Sequence, residues 1–423
     1  MKKQKLFKFF TTLLCISFLH ANNLQPAMAA ETPDTDTINH TENTQEPLYL
    51  SAPCFTMENF DVNTNTDYSM KKDKSKITWT ESYHNSEDNI SITYDFQIAK
   101  KSDFSGAKTL QTSKPSIILK KSQFGKHGGI FYVRVRANYN NMQFSDWSEP
   151  KELTYIKIDK TNFPGLYQLL KNGGKKASYN EKTNEYYTEK VIYDKNGDTW
   201  LDPNEINLMW GLFTLTESYQ KNGKWYTKDA TKVSSLKGIE YLKNVSCIQL
   251  SHYSGKTIDC SKNKGIYSIY VTGISSDQIT VISPTAKTVS VETPFNNDNF
   301  NKIDLSKCDK AVSISAYGNN KTKTLILPKN KKNLKELSIS DLETKTLNLN
   351  PYTNLQLLYV YKCDTTKVQL TKCQNLRYLY FWHCDKIKNL DLSKNKKLVG
   401  LSVYKSSGLT KNTIKGYKFE TKR

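Results

Sequence analysis

Arginine is nearly missing from this chain. Only Arg134, Arg136, Arg377 and Arg423 occur in 423 residues, although Lys+Arg is 61 against 41 Asp+Glu and the formal net charge is +20. Arginine is the usual forked reader of phosphate and base edges. A basic chain without it argues against a nucleic-acid partner. Proline (12) and glycine (18) are sparse, which excludes collagen-like and Pro/Gly low-complexity chains. After residue 29 no stretch reaches 18 apolar residues, so the mature chain has no transmembrane helix. Histidine is scarce too. His40, His84, His127, His252 and His383 show no HExxH spacing, and no GxSxG or Gly-rich phosphate loop occurs. Seven cysteines follow Cys15, an odd number without a CxxC pair, which argues against a disulfide framework. Isolated Asp and Glu leave a glycosidase open, but nothing here marks an enzyme, and we expect none. Aromatics, by contrast, are plentiful at 12% with 26 Tyr, which excludes wholesale disorder.

The N-terminus predicts export. Lys2, Lys3, Lys5 and Lys8 form a positive start, Phe9 to Leu19 is a short apolar run, and Ala27-Met28-Ala29 is a small-x-small cleavage site. Residues 1–29 therefore read as a signal peptide. Residues 30–47 carry five acids, many Thr and no Lys or Arg, the composition of a disordered spacer. The expected product is secreted or extracellular, with association at the cell surface left open.

Residues 48–157 alternate with period two in short runs. Examples are Lys76–Thr80, Ile92–Ile98, Ser116–Leu119 and Phe131–Ala137. Such runs predict half-buried antiparallel strands. Trp79 on an early strand, Tyr132-Val133-Arg134-Val135-Arg136-Ala137, and Trp147-Ser148-Glu149-Pro150 follow in order. On these residues the segment resembles a bacterial fibronectin type III module, an all-β sandwich. The resemblance implies a core Trp79, a tyrosine corner at Tyr132, and Trp147 stacked on Arg134 or Arg136.

Residues 194–205 read Asp194-Lys195-Asn196-Gly197-Asp198-Thr199-Trp200-Leu201-Asp202-Pro203-Asn204-Glu205. Calcium takes about seven oxygen ligands, which an EF-hand loop supplies from positions 1, 3, 5, 7, 9 and 12. Here these are Asp194, Asn196, Asp198, the Trp200 carbonyl, Asp202 and Glu205, so the loop predicts a structural calcium site. Thr199 stands where the turn wants glycine, and a β-branched residue at positive φ is strained. The flanks predict an entering helix over 185–193 and an exiting one over 203–215, within a helical cap spanning 158–235.

Residues 236–410 repeat. Equivalent positions Leu236, Ile258, Ile279, Ile303, Leu325, Leu347, Val368 and Leu390 start eight units of 21 to 24 residues. That period lies within the ~20–29 residues of leucine-rich repeats. Leu390-Asp391-Leu392-Ser393-Lys394-Asn395, echoed by Ile303-Asp304-Leu305-Ser306-Lys307, resembles the repeats of secreted, internalin-like bacterial proteins. That likeness implies a solenoid behind an EF-hand-like N-terminal cap. Cys308 and Cys373 lie five residues after their unit starts, and Cys363 and Cys384 lie sixteen after. Recurrence at one phase predicts stacked structural thiols in buried turn slots. Residues 411–423 form a C-terminal tail.

Along each repeat strand alternate residues face outward. One outward column is Ser251, Thr272, Glu292, Tyr317, Ser340, Tyr361, Trp382, Tyr404. Its neighbour is Gln249, Tyr270, Ser290, Ser315, Ser338, Tyr359, Tyr380, Ser402. Parallel strands lie about 4.8 Å apart, so Tyr361, Trp382 and Tyr404 should form an aromatic ladder. Tyr359 and Tyr380 stand beside it, and Tyr317 stands further along. Exposed Tyr and Trp are typical anchors of binding surfaces. The sequence thus predicts a multidomain, non-enzymatic binding or adhesion protein that meets a protein or glycan at a cell surface. Two other readings stay open. One is lysine-mediated attachment to anionic cell-wall polymers, since residues 231–423 hold 32 Lys+Arg and 14 Asp+Glu. The other is an accessory role or an enzyme acting on extracellular polysaccharide.

Overall fold

The computed structural model describes residues 47–56, 74–180, 182, 185–194, 197–214, 217–221, 224–228, 232–294 and 297–418. The expected signal peptide and nearly all of the expected spacer lie outside the described residues. The chain divides into two units, 1–47 and 48–423. Every described strand and helix belongs to the second.

The alternating runs of residues 74–157 fold into two antiparallel sheets. Lys74–Thr78 pairs with Ser116–Lys120. Thr93–Ala99, Lys108–Thr112, Gly128–Tyr139 and Lys151–Lys157 form the larger sheet, and Gln143–Phe144 pairs onto Gly128–Tyr139. Inward residues of both sheets meet in one core of Ile77, Trp79, Phe96, Leu119, Phe131, Val133, Val135, Leu153 and Tyr155. Trp79 takes its expected place, stacked on Phe96 with ring centroids 5.8 Å apart. Tyr132 does not form the expected corner. It lies mid-strand, its backbone opposite Ala99 and Glu152. Its buried neighbours Phe131 and Val133 take the inward face. The phenol that ties to backbone belongs to Tyr94, whose Oη accepts from the Ser82 N–H at 3.1 Å. Trp147 behaves as expected and lies over both Arg134 and Arg136, 4.4 and 4.6 Å from their guanidinium carbons. The hydroxyls of Ser145 and Ser148 hold that segment down by accepting from the Ala137 and Val135 N–H groups.

Residues 158–235 differ from the expected helical cap. Among the described residues two short helices occur, α1 (Pro164–Asn172) and α2 (Pro203–Leu208). Strands Gly174–Asn180 and Glu185–Val191 form one hairpin, and Glu217–Lys221 with Lys224–Lys228 another. The helix expected before the acidic loop is the strand Glu185–Val191, and the exiting helix stops at Leu208. The sequence Glu185-Tyr186-Tyr187-Thr188-Glu189-Lys190-Val191 is rich in residues that favour a pleated strand over a helix. Gly211–Thr214 then joins the repeat sheet in parallel beside Cys247–Ser251. It covers what would otherwise be an open sheet edge, as a cap must.

The repeats build a β-solenoid. Eight parallel strands stack in order: Cys247–Ser251, Ser268–Thr272, Thr288–Glu292, Ser313–Thr322, Glu336–Leu342, Leu357–Tyr361, Tyr378–Trp382 and Gly400–Tyr404. Short strands run behind them, including Thr257–Asp259, Gln278–Ile282, Lys302–Lys307 and Thr324–Ile326. The unit starts from Ile258 to Leu390 fall on such back strands, with one slip, while Leu236 lies outside any strand. Ile258 pairs with Val281 rather than Ile279, while Ile279 pairs with Ile303. The pairing with Lys302–Lys307 also shifts register between Thr280 and Ile282. Leu, Ile and Val of successive rungs form one continuous core from Ile156 to Ile414.

The recurrent turn slots are filled as expected. Asn263 and Asn395 each donate two side-chain N–H bonds to carbonyls of the preceding rung. In the same slot Cys308 and Cys373 donate their thiols to Val281 and Leu349 carbonyls. Cys363 and Cys384 fill the second slot, and Ser406 follows them there.

Candidate functional site

The outward face of the repeat sheet has the register read from the sequence. Tyr317 stands opposite Ser340, Ser340 opposite Tyr361, Tyr361 opposite Trp382 and Trp382 opposite Tyr404. Tyr359, Tyr380 and Ser402 align in the adjacent column. The rings touch across rungs. Trp382 meets Tyr404 at 5.9 Å and Tyr359 at 5.5 Å, both edge to face, and Tyr359 meets Tyr380 at 6.0 Å. Tyr359 and Tyr361 stack at 6.4 Å within one strand. The Trp382 indole N–H donates to Ser402 Oγ at 3.2 Å, which sets the ring's tilt.

Five of the six ligand-site candidates therefore converge: Tyr359, Tyr361, Tyr380, Trp382 and Tyr404. Tyr317 shares the column but not the patch. It is buried, its Oη lies 3.2 Å from Ser338 Oγ, and Ser340 separates it from Tyr361. Burial pushes the Tyr359 phenol well above the usual tyrosine range. That ring is a packed support more than an exposed contact.

Sequence reading missed the residues just beyond each strand and one at its start. Asp341, Lys362, His383 and Lys405 each follow the outward column by one residue, and all have φ between 45° and 55°. Left-handed backbone at this point turns the chain back over the sheet rim. Lys362 Nζ sits 5.2 Å from the Tyr361 ring centroid and Lys405 Nζ 5.5 Å from that of Tyr404. His383 is edge-on to both Tyr361 (5.6 Å) and Tyr404 (5.7 Å). Asp341 is buried with Oδ1 unpartnered. Burial raises its carboxyl to about 6, against the pull of the Ser340 hydroxyl and the Lys362 charge. Tyr378, 40% exposed, extends the aromatic surface at the start of its strand. Extending the repeat alignment one residue past the strand would have exposed the charged column.

The thiols near this face are not nucleophile candidates. Burial pushes Cys384 up to about 11 and Cys308 and Cys373 up to about 12. Cys363 rises beyond that for the same reason. Thiols so placed stay protonated at neutral pH, and the thiolate is the reactive form.

The acidic loop forms a second candidate. Asp194 carboxylate oxygens accept N–H bonds from Gly197 (2.7 Å), Asp198 (3.2 Å) and Thr199 (2.9 Å). Thr199 adopts φ 66°, the left-handed turn the loop pattern demands of glycine. Asp202 caps α2 by accepting from the Glu205 N–H at 3.0 Å, and Glu205 Oε2 accepts from the Asp202 N–H in return. Asp198 Oδ1 accepts from the Trp200 N–H, and Oδ2 pairs at 3.0 Å with Lys121 Nζ from the sandwich. Asn196 lies outside the described residues. Among the described residues no three acidic, histidine or cysteine side chains converge as a ready metal cage. The donor set is nevertheless all oxygen, the chemistry that ion takes, and Thr199 holds the left-handed turn of the loop pattern. Trp200–Leu201 also joins the loop to both neighbours. It pairs with Lys157 and Ile156 of the sandwich sheet. Trp200 enters the sandwich core and Leu201 the solenoid core.

No protein-family model matches this sequence, and no curated protein matches it. Among solved structures, the chain is similar to the functional domain of InlJ from Listeria monocytogenes, described as including a cysteine ladder. Identity is 11% and the TM-score 0.20, over 52% of this chain and 58% of that one. The match thus spans less than two thirds of that chain. A likeness that loose carries no functional inference, and the solenoid rests on this chain's own strand register.

Proposed function

We propose that this protein is a secreted, non-enzymatic binding or adhesion protein whose concave solenoid face captures a ligand at a cell surface. The observation that carries this reading is the contiguous patch of Tyr359, Tyr361, Tyr380, Trp382 and Tyr404 across three adjacent rungs. Large aromatic side chains in contact on an open face supply the anchors of most recognition surfaces. Among the described residues no helix is long and apolar enough to cross a membrane. The test is binding of the purified exported chain to cell-surface extracts and a glycan array. Replacing Trp382 and Tyr361 together by alanine should abolish capture while circular dichroism stays unchanged. Undiminished capture refutes the site.

Attachment to anionic wall polymers through turn lysines is the rival. The exposed run Lys329, Asn330, Lys331 and Lys332 favours it. Steep salt dependence that ignores the aromatic substitutions would identify that mode.

We also propose that the 194–205 loop binds calcium as a structural ion. Asp194, Asn196, Asp198, Asp202 and Glu205 would supply side-chain oxygens and Trp200 its carbonyl. The bound ion would neutralise the clustered carboxylates. The Thr199 backbone and the Asp202 helix cap support this reading. Calorimetric titration with calcium tests it: heat at millimolar calcium, lost in Glu205→Gln, is expected. An absence of heat refutes it.

A further inference from the structure

Lysine and histidine side chains line one margin of the aromatic patch. Lys362 and Lys405 are exposed, and each lies over a ladder ring, Tyr361 and Tyr404 respectively. His383 stands between them on the intervening rung, edge-on to both rings. Successive rungs are about 4.8 Å apart. The two lysines therefore stand two rungs, roughly 10 Å, apart along one margin of the patch, with the His383 ring between them.

The charge on this stretch is mainly positive, with Asp385 as the acid nearest Lys405. The outward positions of the last three strands are Leu357, Tyr359, Tyr361, Tyr378, Tyr380, Trp382, Gly400, Ser402 and Tyr404, without an acid among them. Of the neighbouring carboxylates, Asp364 is paired with Lys386. Asp385 accepts the Ser407 N–H at 2.9 Å. Asp341 is buried behind the face. His383 and Lys405, with Asp385 and Ser407, also line an open recess of about 580 Å³ at the margin of the patch.

We propose that this face binds a uronate-bearing acidic polysaccharide. The inference rests on the concave-face reading above and deepens it. Sugar rings would lie with their C–H faces on Tyr361, Trp382 and Tyr404, and their carboxylates would meet Lys362, His383 and Lys405. Trp382 spends its N–H on Ser402, so it offers a ring face. The patch is a shallow surface of tilted rings without a deep side-chain pocket. That shape favours a flat, repeating ligand over a peptide. Its net positive margin favours an acidic chain over a neutral one.

The test compares four probes on the full exported chain by calorimetry and affinity electrophoresis. They are polygalacturonate, its fully methyl-esterified form, hyaluronan and polyglutamate. The variants are Trp382→Ala and the pair Lys362→Gln/Lys405→Gln, each checked by circular dichroism and thermal melting. A uronate polymer should bind, with affinity falling steeply with salt. Loss of the two lysines should weaken it roughly tenfold, as two exposed charge contacts of this kind would, and Trp382→Ala should weaken it as well. Equal binding of the methyl ester, lost in Trp382→Ala, overturns the acidic ligand and leaves the concave-face site standing. Equal binding of polyglutamate that ignores Trp382→Ala overturns both. Binding of neither uronate polymer, while cell-surface extracts are still captured through Trp382, overturns the polysaccharide and keeps the face.

Discussion

Replacing Asp341 by asparagine should stabilise the solenoid, and only above a defined pH. Asp341 is the penultimate residue of the strand Glu336–Leu342, sits at φ 55°, is 2% exposed, and has Oδ1 without a hydrogen-bond partner. Burial raises its carboxyl from 3.8 to about 6. Between those two values the folded chain holds a proton that the unfolded chain has released. Stability therefore falls as pH rises through that window, because the unfolded state binds fewer protons. Above the folded value the penalty is complete. A shift from 3.8 to about 6 corresponds to about 3 kcal/mol at 1.36 kcal/mol per pH unit. Asparagine keeps the shape, accepts the same left-handed backbone and carries no charge. Urea unfolding, followed by a signal from the repeats at several pH values, measures the difference. Near pH 4 the variant and the parent should nearly coincide, apart from a constant offset for the amide. By pH 7.5 the variant should lead by about 2–3 kcal/mol. A difference that does not change with pH, or a less stable variant at pH 7.5, refutes the buried, ionised Asp341.

Other outcomes concern the junction and the turn slots. Trp200→Ala should cost about 3–5 kcal/mol, since it empties a buried site in the sandwich core next to Gly128; thermal melting would show it. Thr199→Gly should raise stability by about 1 kcal/mol by relieving φ 66° on a β-branched residue, and should not weaken calcium binding measured by calorimetry. Asn395→Ala should cost roughly 2 kcal/mol, because the Leu370 and Cys373 carbonyls lose their donor. Asn395→Cys should cost less, since the Cys373 thiol serves a carbonyl in the same slot one rung earlier; denaturant midpoints of the two variants decide it.

What was legible in the sequence was whatever repeats or alternates. A rung's inward and outward residues are set by local backbone alternation. Both outward columns could therefore be written down, and strand pairing reproduces them from Ser251 to Tyr404. The turn slots of Asn263, Cys308, Cys373 and Asn395 came from the same phase. Hydrophobic period failed where insertion broke it, so Ile258 was aligned with Ile279 although it pairs with Val281. It failed again at Glu185–Val191, where the loop pattern led one to expect a helix and strand-favouring residues formed a hairpin instead.

The amino-acid sequence alone determined the eight rungs, the aromatic composition of one face, the acidic loop and the surplus of lysine. These are properties of residues close along the chain. Only the tertiary structure decided that Tyr317 is buried, and that Lys121 reaches 77 residues along the chain to Asp198. It alone put Lys362 and Lys405 over ladder rings and buried the Asp341 carboxylate. Those depend on which atoms fill the space beside a side chain. In a solenoid that space is furnished by the next rung, about twenty-two residues away, where a local pattern cannot see it.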